Sequence, residues 1–306
     1  MKSPSSRAKP QSSPQNLHMA GIGLMLIGIF FFSLNDAMGK YLIATYSVSQ
    51  LLLLRSAAGL AVLAPFIWRE GWGAFTSAPR PLVQWLRPLC STFEVGCFYW
   101  ALAYMPLADV MTFYLAAPIY VTALSPFILR EHVGWRRWAA VIIGFVGVMV
   151  ALNPSAQSLT PASFVAIAGS LAYSLFLIGT RLVRGTSDVV LVTASFGGAL
   201  IFGLVAAPFT WVALNGRDAA LLILLGVVAT GAHLCVNRSL KVAPASVVVP
   251  YQYTMIVWAI VLGYIFFGDI PRTTMLVGAT IIIVAGIYIF IREQVRATPT
   301  TFADPP

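Results

Sequence analysis

Apolar stretches of about 20 residues recur along the whole chain, parted by short polar breaks. A bilayer core of about 30 Å is crossed by roughly 20 apolar residues in a helix. By that measure the pattern predicts ten spans, at about 19–40, 48–68, 84–104, 108–129, 137–153, 161–182, 188–211, 218–238, 245–267 and 272–291. They fill the chain between two polar, Pro-containing tails, 1–18 and 293–306, expected to be disordered. The predicted fold class is an all-α polytopic membrane protein. The first apolar run is not expected to be a signal peptide, since no small-residue cleavage site follows it and many more runs do.

Prolines punctuate this pattern. Pro106 and Pro244 stand just before spans 4 and 9, where a missing N–H is harmless. Asn153-Pro154 and Asp269-Ile270-Pro271 mark turns. Pro118 and Pro250 lie inside spans, which requires neighbouring helices to satisfy the freed carbonyls.

Composition narrows the class. Hydrophobic residues make up 59% of the 306 and charged residues 9%, against about 25% charged in soluble domains. That excludes a disordered chain and an ordinary cytosolic enzyme. The net charge of +9 does not point to nucleic acid, because the charges mark loop ends and form no basic face. With alternating spans, 15 of the 19 Lys and Arg, Arg87 among them, fall on the side of the N-terminus. Three (Lys40, Arg217, Arg272) fall on the other side, and Arg55 lies within span 2. The positive-inside rule then puts both termini in the cytoplasm and the protein in the cell inner membrane. Cys90, Cys97 and Cys235 lie in apolar stretches without metal or redox spacing.

The halves resemble each other. "ALAYMPLADVMTFYLAAPIYVTALSPFILRE" lies over "SLKVAPASVVVPYQYTMIVWAIVLGYIFFGD", placing Leu102 on Leu240, Pro106 on Pro244 and Glu131 on Asp269. "SLNDAMGKYL" lies over "SLFLIGTRLV", placing Ser33 on Ser174 and Lys40 on Arg181. The predicted units are 19–153 and 161–292, five spans each. An odd number of spans turns the second unit upside down, an arrangement that places solute sites at mid-membrane between the repeats.

The repeat, together with the closing segments "SPFILREHVGWRRWAAVIIGFVGVMV" and "GYIFFGDIPRTTMLVGATIIIVAGIYI", resembles the drug/metabolite transporter superfamily, specifically proteins with two EamA domains. Within it, "SLNDAMGKYL" and "APASVVVPYQYT" look most like bacterial uptake carriers for cofactor-type metabolites such as S-adenosylmethionine or riboflavin. The resemblance implies a small-molecule solute and no cofactor. It also implies that spans 5 and 10 serve as packing or dimer helices, which leaves a homodimer open.

Ionisable and polar groups inside the membrane are the candidate site, since each is costly there. Asn35, Asp36 and Lys40 lie toward one end of span 1. Asp36 and Lys40, four apart, form either a gate at the mouth or an interfacial pair. Arg55 contacts an anionic group of the solute, pairs with Glu94 of span 3, or snorkels to the interface. Glu94 either neutralises Arg55 or carries a proton, unless it lies shallower. Asp109 reads as a helix N-terminal acid. His233 and Asn237 share a face of span 8, as a proton relay or as hydrogen-bonded packing. Tyr251, Gln252 and Tyr253 follow Pro250, where a broken helix suits solute binding. Tyr99, Tyr114 and Tyr120 add aromatic surface, for a planar or cationic solute or for an interfacial belt. The recurring glycines 144, 147, 197, 198, 278 and 286 read as helix-packing positions.

The competing classes lack signatures. No G-x-S-x-G, H-E-x-x-H or nucleotide-binding loop is present, and no filter or charge ring marks a channel. The chain reads as a secondary carrier. Uptake, proton-coupled uptake and proton-coupled export of amino acids, drugs or other metabolites all fit.

Overall fold

A computed structural model describes residues 14–71, 73–76, 80–104, 107–152, 160–268, 273–274 and 276–285. The described chain is helical: α1 (Pro14–Ile43), α2 (Val48–Glu70), α3 (Gly73–Thr76), α4 (Pro81–Leu102), α5 (Leu107–Tyr114), α6 (Ala117–Ile128), α7 (Trp135–Leu152), α8 (Pro161–Leu182), α9 (Asp188–Ala206), α10 (Gly216–Val242), α11 (Ala245–Val248), α12 (Met255–Phe267) and α13 (Leu276–Ala285). Six segments are long and apolar enough to cross a membrane, beginning at residues 17, 48, 161, 188, 216 and 245. The protein is therefore a multi-pass membrane protein. At 1.5 Å per residue the 22-residue α4 reaches ~33 Å, also a bilayer's width. Its hydropathy is lowered by Arg87 and Glu94, which it carries inside.

The expected tails and the turns at 153–154 and 269–271 lie outside the described residues, except that α1 already begins at Pro14. Pro106, Gly286 and the side chain of Asp109 lie outside them too.

Spans 4 and 9 are broken where the internal prolines fall. Leu115 and Ala116 separate α5 from α6, with Pro118 in the first turn of α6. In the second half a 3₁₀ turn, Val249–Thr254, separates α11 from α12 and carries Pro250. Proline has no N–H to give and its ring crowds the preceding turn, so the backbone tightens or breaks there.

The packing follows the repeat. α1 runs against α10, α4 against α8, and α2 against α9. Exchanging α1 with α8, α4 with α10 and α2 with α9 carries the first pair onto the second and the third onto itself, as a two-fold relation requires. Close approach is built in by small residues. A Cβ on Gly226 of α10 would overlap the carbonyl oxygen of Arg55 and meet Ala58 Cβ at 2.7 Å. The α2 and α10 backbones therefore touch at the level of Arg55. Gly147 of α7 faces the Gly278 carbonyl of α13, so these two helices pack on each other within one chain.

One end of the bundle is tied by charge. Arg181 pairs with Glu131 at 3.1 Å and donates to the Leu240 and Lys241 carbonyls. Glu131 also accepts from the backbone N–H groups of Ala245 and Ser246, capping α11. Lys241 pairs with Asp188 at 2.7 Å. At the other end the ties are neutral or singly charged. Gln50 exchanges two hydrogen bonds with the backbone of Val212, at 2.8 and 2.9 Å, and Tyr46 donates to Asp218 at 2.8 Å.

Candidate functional site

A cavity of about 720 Å³, counting its open mouth, lies among α1, α2, α4, α5, α8, α10 and the 3₁₀ turn. Its walls differ in kind.

The first half of the chain supplies the charges: Asp36 from α1, Arg55 from α2 and Glu94 from α4. Asn35 orients Arg55. Its Nδ2 donates to the Leu225 carbonyl of α10 at 3.2 Å, which turns Oδ1 toward Arg55. Arg55 Nη1 donates to that oxygen at 3.3 Å. Its buried Nε has no partner among the described residues. No ion pair joins Arg55 to Asp36 or Glu94 among the described residues. The expected Arg55–Glu94 pair is thus not formed: both side chains face the cavity, and the neutral Asn35 oxygen takes the guanidinium. A buried cation with an unpartnered donor is expensive to keep.

Aromatic residues shape the same wall. Tyr114 donates to the Glu94 carbonyl at 2.7 Å and meets Phe98 edge-on at 5.0 Å. Tyr99, buried, crosses to α1, where Gly39 leaves room for its hydroxyl.

The second half supplies a neutral wall of Tyr173, His233 and Gln252. His233 is ringed edge-on by Phe32, Phe176 and Phe196, with centroids at 5.1, 6.0 and 5.4 Å. Gln252 Nε2 donates to the Tyr173 hydroxyl at 2.8 Å.

Seven of the residues expected from sequence therefore meet in one cavity: Asn35, Asp36, Arg55, Glu94, Tyr99, Tyr114 and His233. Five do not line it. Lys40 stands exposed at the end of α1. Tyr120 is half-buried on α6. Tyr251 is packed in a core with Met25, Phe176 and Val236. Tyr253 turns away from the cavity to α7, where its ring lies over Gly144 and its hydroxyl reaches the Val141 carbonyl at 3.2 Å. Asn237 leaves His233 although both share a helix. Its Oδ1 accepts from Arg87 at 2.7 Å.

Arg87 is the larger surprise. Counted among the loop cations on the side of the N-terminus, it is 2% exposed inside the bundle. Nε donates to Thr180 at 2.6 Å, Nη1 to the Leu191 carbonyl and Ser195 at 2.8 and 3.0 Å, and Nη2 to Asn237. Its guanidinium carbon lies 4.3 Å from the centre of the Phe176 ring. α4 begins at Pro81, earlier than hydropathy suggests, so Arg87 lies nearly two turns inside it.

Sequence reading passed over Tyr173; it named Gln252 beside Tyr251 and Tyr253 at the broken helix without choosing it over them. The repeat carried the signal. The alignment that places Ser33 on Ser174 places Phe32 on Tyr173, and the one that places Pro106 on Pro244 places Tyr114 on Gln252. All four line the cavity.

Known proteins share this frame. The chain is similar to an S-adenosylmethionine uptake transporter of Rickettsia felis, 26% identical, with 90% of this chain and 94% of that protein covered. It is similar to a riboflavin transporter of Vibrio cholerae, 25% identical over 87% of this chain and 91% of that protein. A pseudopaline exporter of Pseudomonas aeruginosa is 24% identical, with coverage of 89% and 96%. A solved crystal structure superposes with a TM-score of 0.77 at 16% identity, covering 91% of this chain and 99% of the other, which shows the shared fold. Residues 19–153 and 160–292 each match the EamA-like transporter family, so the chain belongs to that family.

Proposed function

We propose that the protein takes up an S-adenosylmethionine-like solute, a compact organic cation with an amino-acid end, across the cell inner membrane. The observation that carries the proposal is the cavity's charge set: two carboxylates, Asp36 and Glu94, and one guanidinium, Arg55, with no ion pair among them in the described residues. An α-carboxylate fits the Arg55 guanidinium, which lines the cavity. An ammonium and a sulfonium fit the two carboxylates and the aromatic faces of Tyr99 and Tyr114. The wall thus offers groups of both polarities to a solute that carries both a carboxylate and cationic centres. Riboflavin, which has no cationic centre, gives the carboxylates less to pair with. Likeness to the S-adenosylmethionine and riboflavin transporters supports the cofactor class.

In this reading the two repeats, 19–153 and 161–292, rock about the cavity, and the solute crosses unchanged, so the protein is a carrier and not a catalyst. Both termini lie in the cytoplasm. With Arg87 withdrawn to the interior, 14 Lys and Arg still weight that side against three on the other.

The test is uptake of labelled S-adenosylmethionine and riboflavin by cells expressing the chain, beside an Arg55→Ala variant. Saturable accumulation of S-adenosylmethionine, lost in the variant, is expected. Faster loss of preloaded solute without accumulation would instead favour metabolite export, the activity named for the pseudopaline relative.

A further inference from the structure

The charged wall accounts for the amino-acid end of such a solute. It leaves the opposite wall unexplained, and that wall is built as deliberately. Gln252 is 3% exposed inside the bundle, on the 3₁₀ turn that carries Pro250. A carboxamide is an expensive group to bury in a bilayer without full hydrogen bonding. Among the described residues its side chain makes one bond, from Nε2 to the Tyr173 hydroxyl. One N–H and the carbonyl oxygen are therefore left to the cavity that Gln252 lines. Tyr173 is held in turn, its ring stacked on Phe176 at 6.3 Å and 16°. The carboxamide is thus oriented by a partner that is itself fixed by packing.

We propose that Gln252, positioned by Tyr173, is the specificity-determining residue for the neutral end of the solute, and that it reads the edge of a planar heterocycle presenting a hydrogen-bond donor beside an acceptor. The inference rests on the uptake reading above and goes beyond it by assigning the second wall. An adjacent N–H and C=O is the pairing that lets glutamine or asparagine bind the amino group and ring nitrogen of adenine in two parallel bonds. The imide edge of an isoalloxazine presents the same donor-beside-acceptor pattern. The neighbouring walls are suited to a flat ring: Phe98, Met111 and Met255 line the cavity without offering polar atoms. Charge is read by one repeat and ring edge by the other, so only a solute bearing both ends engages both repeats.

The test uses the full chain in proteoliposomes, with labelled S-adenosylmethionine and labelled riboflavin as separate probes. The variants are Gln252→Leu, Gln252→Glu and Tyr173→Phe. Gln252→Leu is expected to weaken binding of the transported probe by about 10- to 100-fold, the loss when a site built to pair with polar groups is deprived of them. Tyr173→Phe keeps the carboxamide but frees its orientation, and a loss of about three- to tenfold is expected. Gln252→Glu supplies acceptors alone. It should favour S-adenosylmethionine over its 6-deamino (purine) analogue, which keeps the ring nitrogens but offers no donor, at least about tenfold more than the wild type does. A merely structural role for Gln252 would lower the amount of folded protein and leave that ratio unmoved. Transport of either probe with unchanged affinity in Gln252→Leu, or an unchanged ratio in Gln252→Glu, overturns the assignment and leaves the uptake reading standing. Transport of neither probe by the wild type overturns both.

Discussion

Two arginines are buried within this bundle, and their surroundings are opposites. Arg87 spends four hydrogen bonds on α8, α9 and α10 and lays its guanidinium on Phe176. Arg55 makes one long bond to Asn35, lies beside the Tyr99 hydroxyl, and leaves Nε unpartnered among the described residues. Both face the cost of burying a cation. Arg87 recovers it from the protein, so its position is explained by folding alone. Arg55 does not, and it lines a cavity that holds two carboxylates. A buried charge left short of partners is a candidate ligand contact, as the uptake proposal takes Arg55 to be, whereas a saturated one is mortar. The two also sit toward opposite ends. Arg87 lies near the ends of α8 and α10 that carry the Arg181–Glu131 and Lys241–Asp188 pairs. Arg55 lies near the start of α2, where the end ties are hydrogen bonds.

The comparison breaks most visibly at Arg87. Arg87→Met leaves the Asn237 oxygen without its donor and removes one of the donors to the Leu191 carbonyl, which keeps the Ser195 hydroxyl, as well as the donors to Ser195 and Thr180. At ~1–3 kcal/mol for each buried acceptor left without a donor, a loss of about 2–4 kcal/mol is expected. It should appear as a lower melting temperature in detergent and a reduced yield. Arg87→Lys should recover little, because a point charge cannot reach acceptors on three helices at once. Wild-type melting in Arg87→Met would erase the distinction between the two arginines.

Arg55→Met is the converse experiment. Its stability should stay within about 1 kcal/mol of wild type, since one bond is lost and a buried charge is removed. Uptake should fall by about 10- to 100-fold, the worth of a charge-assisted hydrogen bond of ~1.5–3 kcal/mol. Loss of stability without loss of affinity would make Arg55 a second Arg87.

Asp36→Asn and Glu94→Gln sharpen the electrostatic half of the contrast. Each replaces an ionisable carboxyl on the Arg55 wall by a neutral polar group of the same size. S-adenosylmethionine affinity should drop about tenfold for each, and riboflavin, being neutral, should bind no more weakly than before. An equal loss for both solutes would mean that the carboxylates hold the wall together and do not read charge.

How much of this was legible in the sequence depends on what each residue answers to. Span positions answer to hydropathy, so the six long spans fall close to where the apolar runs place them. The breaks near residues 115 and 250 answer to proline chemistry and were marked by Pro118 and Pro250. Asp36, Arg55 and Glu94 stood out because charge is rare in a span. Arg87 misled because a cation near a span's predicted edge looks like a loop residue. Only the third dimension reveals Thr180, Ser195 and Asn237 converging on it from three helices. Tyr251 and Tyr253 misled for a related reason. A 3₁₀ turn has three residues per turn, so the face that reaches the cavity is Gln252's, and the flanking tyrosines point to the core and to α7.

The finest test concerns how the Arg87 network is shared. Thr180 Oγ1 accepts from Arg87 Nε and donates to the Phe176 carbonyl of its own helix. Thr180→Val keeps the shape and removes both bonds. The guanidinium retains its acceptors on Leu191, Ser195 and Asn237, so a cost of only about 0.5–1.5 kcal/mol is expected, the net worth of a typical intramolecular bond. The variant should still transport with wild-type affinity, because Thr180 lies outside the cavity lining. Thr180→Val combined with Asn237→Leu should cost more than the sum of the two alone, since Arg87 then loses acceptors on both α8 and α10 and is left a poorly paired buried charge. Strict additivity would mean that the guanidinium finds replacement partners, and that its four bonds act singly and not as one anchor.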